Sequence, residues 1–218
     1  DIISLWDPNN ERLEIKDRYF TEVNFGTTPT STPSVRASNL LASTSLNFDP
    51  NKVVFDGNIL GYDSLKLNIN TDFNTEKSIK VYDLSLNSSA SLGVNSVVKV
   101  NNNFTQASSS TLQAPINSEG KLNIFVGGNA NISGNLEFFL GKDFYNTSSI
   151  ALNKAELIDG KTTSFTNVSF ANDADFSKFL NISYDDASST ININRDYSSL
   201  AKNTSISNSL VSLALNSS

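Results

Sequence analysis

With 218 residues, 38% of them hydrophobic, a net charge of −6 and a pI near 4.6, the chain can bury one core but lacks the clustered Lys and Arg that nucleic acid or an anionic membrane surface requires. It contains no Cys, His or Met, which excludes a Ser-His-Asp triad, a Cys nucleophile, a zinc finger and a His-ligated catalytic metal. Asn, Ser and Thr together supply more than a third of the chain and are spread along its whole length, a composition suited to a polar all-β surface protein.

Residues 1 to about 45 read as irregular. Trp6 to Asn10 is a turn, Arg12 to Phe25 holds one or two short strands, and Thr27 to Ser34 is a Thr/Pro/Ser loop. From about Val53, short runs alternate apolar with polar residues, the period of strands with one buried face. They are Val53–Phe55, Leu65–Ile69, Ile79–Leu84, Val97–Val100, Leu112–Ile116, Leu122–Val126 and Leu136–Leu140. The breaks are clusters such as Asn101-Asn102-Asn103, Ser108-Ser109-Ser110 and Gly127-Gly128-Asn129 rather than two-residue hairpin turns. This pattern predicts a parallel β-helix with rungs of roughly 20 residues stacked about 4.8 Å apart. An antiparallel β-sandwich is the alternative. Near the C-terminus, Ile206, Leu210 and Leu213 share one helical face, which predicts a short helix over about 204–215.

No apolar stretch approaches the roughly 20 residues of a membrane-spanning helix, and Asp1-Ile2-Ile3-Ser4 does not begin a signal peptide, so a mature or excised fragment is expected. The lack of Cys has two readings. One is a core large enough to need no disulfides; the other is export as an unfolded thread, where an early disulfide would jam the pore.

From about Ser91 to Arg195 the order of elements resembles the C-terminal part of bacterial autotransporter (type V) passengers. The resemblance runs through Val97–Val100, Asn103-Phe104-Thr105-Gln106 and Ser110-Thr111-Leu112. It continues in Leu122 to Phe138 with its Gly127-Gly128 and Gly134 corners, then Ala155 to Gly160, Phe165 with Val168, and Leu180 to Tyr184. Asn135 stands where the family usually has a small residue, and residues 1–50 are not covered. The resemblance implies a right-handed parallel β-helix (solenoid) over 51–196 with an autochaperone-like C-terminal part. Residues 1–50 are then an irregular extension or partial rungs, and 197–218 a helical linker toward a translocator barrel. It further implies a secreted or cell-surface location, outside the outer membrane.

Carboxylates are the acid-base material, so Asp173 with Asp175 and the pair Asp185-Asp186 are where glycosidase or calcium chemistry would lie. Neighbouring strand residues point to opposite faces, however, and the sequence lacks both the Gly-Gly-x-Gly-x-Asp repeat and an EF-hand loop. These carboxylates read as solvated loop charge. Gly127-Gly128 lacks the Lys-Ser/Thr of a phosphate cradle and reads as a coil corner. Asn clusters read as amide ladders, and Phe138, Phe139, Phe144 and Tyr145 as caps on the core.

The expected function is non-enzymatic, with no cofactor and no metal: a passenger section serving as a stable stalk and folding nucleus that supports adhesion or a toxin domain. Leu122, Ile124, Val126, Leu136, Phe138 and Leu140 are the nucleus candidates, because their alternate spacing turns them to one core. Expected partners are the chain's own translocator barrel and a host-cell receptor or a second copy, without nucleic acid or membrane insertion. The alternative is a fragment similar to vacuolating cytotoxin passengers, which contacts host cells and oligomerises; an enzyme module comes third.

Overall fold

The computed structural model describes residues 6–7, 12–16, 22–26, 45–48, 52–55, 57–141, 147–171 and 180–196. Every regular element among them is a strand, in agreement with the all-β expectation. Most of these strands stack into three columns.

The first column runs from Arg12–Lys16 through the first half of Gly57–Ile69, then Ile79–Leu86 and Val98–Val100, to Ile124–Val126. Its register sets Ile15, Ile59, Ile79, Val98 and Ile124 in one row. The second column uses the other halves of the long strands: Ser45–Phe48, Glu22–Phe25, Lys66 to Ile69, Asp83 to Leu86, Phe104–Gln106 and Ala130–Ile132. The third contains Lys52–Phe55, Asp72–Thr75, Ser91–Val94, Thr111–Ile116, Asn135–Leu140 and Asn167–Phe170. All of these pairings are parallel, which overturns the antiparallel sandwich over residues 57–140.

Parallel neighbours need a connection of a dozen or more residues. Here Ile59 is followed in register by Ile79 and then Val98, and in the third column Phe73 is followed by Leu92 and then Leu112. Each step advances the chain by about 20 residues, the length of a coil that visits all three columns before returning. The link between two neighbours in one column is the pair of strands it contributes to the other two. That arrangement is compatible with a solenoid.

The alternation of apolar and polar residues determines what each strand buries. Ile79, Val81, Leu84 and Leu86 are at most 1% exposed, and the inward residues of the strands above and below them form one continuous core. Burying each such side chain contributes about 1.5–3 kcal/mol. At the N-terminal end the rings of Phe25, Phe55 and Phe73 close this core, with centroids 4.5 to 6.0 Å apart.

Corner backbone would leave polar groups unpaired if it did not bond to the corner before it. Asn87 N donates to Ile69 O, Asn101 N to Val81 O, and Gly127 N to Val100 O. Side chains repeat the pattern, with Asn87 Nδ2 donating to Asn70 Oδ1 at 2.6 Å and Asn167 Nδ2 to Asn135 Oδ1 at 2.9 Å.

The seven strands read from sequence over 53–140 are all present, although Leu122 makes only an isolated bridge to Ile116 and the strand begins at Ile124. Four more were not read: Asp72–Thr75, Ser91–Val94, Phe104–Gln106 and Ala130–Ile132. Phe104–Gln106 is a strand because Phe104 and Gln106 point inward between Leu84 and Leu86 on one side and Ala130 and Ile132 on the other.

The parallel columns do not run to residue 196 as expected. Ser149–Ala151, Thr190–Arg195 and Leu180–Asp185 form a separate antiparallel sheet. The link from Asp185 to Thr190 is only four residues, short enough for a hairpin and too short for a parallel crossover. Within residues 1–50, Arg12–Lys16, Glu22–Phe25 and Ser45–Phe48 join the columns in parallel, and Trp6–Asp7 adds antiparallel to Arg12–Lys16. The helix expected over 204–215, and the whole of 197–218, lie outside the described residues. Among those described, no helix is long and apolar enough to cross a membrane.

Candidate functional site

All six nucleus candidates are buried, none more than 8% exposed. Ile124 and Val126 end the first column, stacked on Val98 and Val100. Leu136, Phe138 and Leu140 lie in the third, on Leu112, Ala114 and Ile116. Phe138 stacks again on Phe170 in the next strand, centroids 5.5 Å apart, and meets Tyr184 of the antiparallel sheet edge-on at 5.0 Å. Leu122 N donates to Leu157 O, tying the segment to the fully buried Leu157 and Ile158. The two halves of the candidate block are therefore in different columns of one core.

The acidic candidates separate. Asp185 accepts from Ala187 N and Ser188 Oγ and closes the turn after its own strand. Asp186 is paired with Lys154, Nζ to Oδ1 2.6 Å, and accepts from Tyr184 OH at 3.3 Å. Both carboxyls are held below their ordinary value, Asp185 chiefly by the Ser188 hydroxyl and Asp186 chiefly by the Lys154 ammonium. The same pairing raises Lys154, while burial raises the Tyr184 phenol. A glycosidase general acid needs the opposite shift. Asp173, Asp175, Phe144 and Tyr145 lie outside the described residues. Among those described, no group of three or more acidic side chains is placed to hold a metal.

Gly127-Gly128 forms the corner between the first and second columns. A Cβ on Gly127 would stand 2.2 Å from Asn101 O, and one on Gly128 2.4 Å from Asn102 O. Close approach of the preceding corner, not an unusual backbone angle, is what requires glycine here.

One concave feature was not read from sequence. On the outer face of the third column, Asn74, Gly93, Gln113 and Glu137 lie side by side in consecutive strands. Gly93 has no side chain, so the row dips there into a groove bordered by Glu76, Asn95 and Phe139. Phe139, expected to cap the core, instead faces this groove half-buried, because Phe138 and Leu140 on either side of it take the inward positions. Asn95 Nδ2 donates to Glu76 Oε2 at 2.7 Å, and Asn74 Nδ2 to Asp72 Oδ1 at 2.9 Å. The signal for the groove is spacing: Asn74, Gly93 and Gln113 are separated by one coil each, which has meaning only once the coil length is known.

Comparison with protein families, curated proteins and solved structures found no match for this chain.

Proposed function

We propose that the chain is a non-enzymatic passenger section of a surface-displayed autotransporter, a right-handed parallel β-helix that acts as a stalk and folding nucleus for an adhesive or toxic segment. The observation that carries this reading is the row-on-row core: Val98, 1% exposed, lies in register between Ile79 and Ile124. In such a stack each strand adds to the one before, so stability grows from neighbour to neighbour. A chain emerging from a pore with no ATP outside gains burial with each added rung, and that gain opposes back-sliding. The absence of Cys suits passage as an unfolded thread. On this reading Leu122 to Leu140 forms first and templates what precedes it, and residues 197–218 lead to the translocator barrel.

The test places the chain between a secretion signal and an autotransporter barrel in a Gram-negative host and measures surface protease accessibility. The expected result is folded chain on the surface for wild type and strongly reduced display for Phe138→Ala or Leu136→Ala, with little change for Leu13→Ala. Equal display for wild type and Phe138→Ala, despite a measured loss of stability, overturns the nucleus role. Failure of wild type to reach the surface overturns the passenger reading itself.

A further inference from the structure

We infer that the groove over Gly93 is a binding site for an uncharged, hydroxyl-rich ring compound, a neutral saccharide. This is independent of the stalk reading. The open groove holds about 280 Å³, just under the usual range of small-molecule sites, which suits one or two sugar rings. Its length along the stack, from Asn74 to Glu137, is three strand spacings, on the order of 14 Å.

Three features define the ligand. Among the described residues neither the Gln113 amide nor the Glu137 carboxylate has a hydrogen-bond partner, although both are half-buried on the groove wall. Gln113 offers a donor and an acceptor, and Glu137 accepts only, which together match vicinal hydroxyls that donate and accept in turn. Asn74 and Glu76 differ: their bonds to Asp72 and Asn95 hold them in place as walls. Phe139 supplies an apolar ring face beside these polar groups, complementary to the C–H face of a sugar ring. Among the described residues no Lys or Arg lines the groove, and two carboxylates do, so acidic sugars are repelled. Gly93 makes the floor: a side chain there would enter the groove beside Asn74 Oδ1, 2.2 Å from a Cβ.

The test is ligand-observed NMR titration of the whole chain with cellotriose, chitotriose and maltotriose, and with trigalacturonate as the acidic control. At least one neutral trisaccharide is expected to bind, and trigalacturonate is not. Glu137→Gln and Gln113→Ala are expected to weaken that binding about tenfold each, the size of a lost hydrogen bond to a polar or charged group. Gly93→Ser, whose Cβ meets the amide end of Asn74 at 2.2 Å and Gln113 Oε1 at 3.3 Å, should block the groove while circular dichroism stays near wild type. Absence of binding by all three neutral sugars at millimolar concentration overturns the proposal. So does binding that Glu137→Gln, Gln113→Ala and Gly93→Ser all leave intact, or preferred binding of trigalacturonate.

Discussion

The ring of Tyr184 meets the ring of Phe138 edge-on, with centroids 5.0 Å apart and planes at 90°. Phe138 belongs to the third parallel column and Tyr184 to the antiparallel sheet, so this contact joins the two parts of the core. Phe138→Ala is expected to cost about 3–5 kcal/mol in equilibrium unfolding, because a fully buried ring leaves a cavity between Ala114 and Phe170. A double-mutant cycle of Phe138→Leu with Tyr184→Leu should give a coupling of about 0.5–1.5 kcal/mol. Strict additivity would show that the antiparallel sheet and the stack are energetically separate.

Glycine substitutions distinguish close approach from backbone angle. Gly127→Ala drives a methyl group against the Asn101 carbonyl, which is fixed backbone, and should cost about 1–3 kcal/mol. Gly160 has φ +67° and open space around it, so Gly160→Ala should cost about 1–2 kcal/mol from its left-handed conformation alone. Gly160→Asn, which tolerates that angle, should recover most of the loss, whereas Gly127→Asn should not. Denaturation midpoints of the four variants check both expectations, and recovery by Gly127→Asn would refute the close-approach account.

The amide ladder should behave as a coupled pair. Asn87 Nδ2 donates to Asn70 Oδ1 at 2.6 Å in a half-buried corner. Asn87→Ala is expected to cost about 1 kcal/mol, and Asn70→Ala a similar amount, since each leaves the other amide short of a partner. Replacing both should cost clearly less than the sum of the two, and full additivity in urea unfolding would rule out the ladder as a stabilising unit.

Acid should loosen the C-terminal sheet. Asp185 and Asp186 titrate below their ordinary values in the folded chain, as does Glu156, which accepts from Gly160 N and pairs with Lys121, so each contributes stability that is present above its unfolded value and lost as pH falls through the lower folded value. The window lies below about pH 4. Lys154 is raised, so its share is complete below its ordinary value and is lost only as pH rises past the folded one. All of these groups are at the surface, so the effect should shrink in high salt. Following the Tyr184 ring resonances from pH 6 to 2 should show movement in wild type that Asp186→Asn reduces, and an unchanged titration would exclude the Lys154 pair as its source.

Much of the fold was legible because burial on one face imposes a period of two. Val98–Val100 and Asn135–Leu140 carry that pattern openly, and the inward residues read from it are the ones the core buries. Asp72–Thr75 and Ala130–Ile132 do not: the first buries only Phe73 and Thr75, the second only Ile132, and so few apolar positions cannot establish a period. Corner glycines were visible as letters, but the reason for Gly127, the Asn101 carbonyl of the preceding coil, exists only once one coil is laid on another. The same holds for the groove. Asn74, Gly93, Gln113 and Glu137 are far apart along the chain and become neighbours only through parallel register, which is set by the length of each coil and not by local preference. The change of direction at Leu180–Asp185 was likewise decided by tertiary structure. Alternation is identical in parallel and antiparallel strands, and the four-residue link to Thr190 allows only the hairpin, which sets Ile182 beside Ile193, both buried in the core.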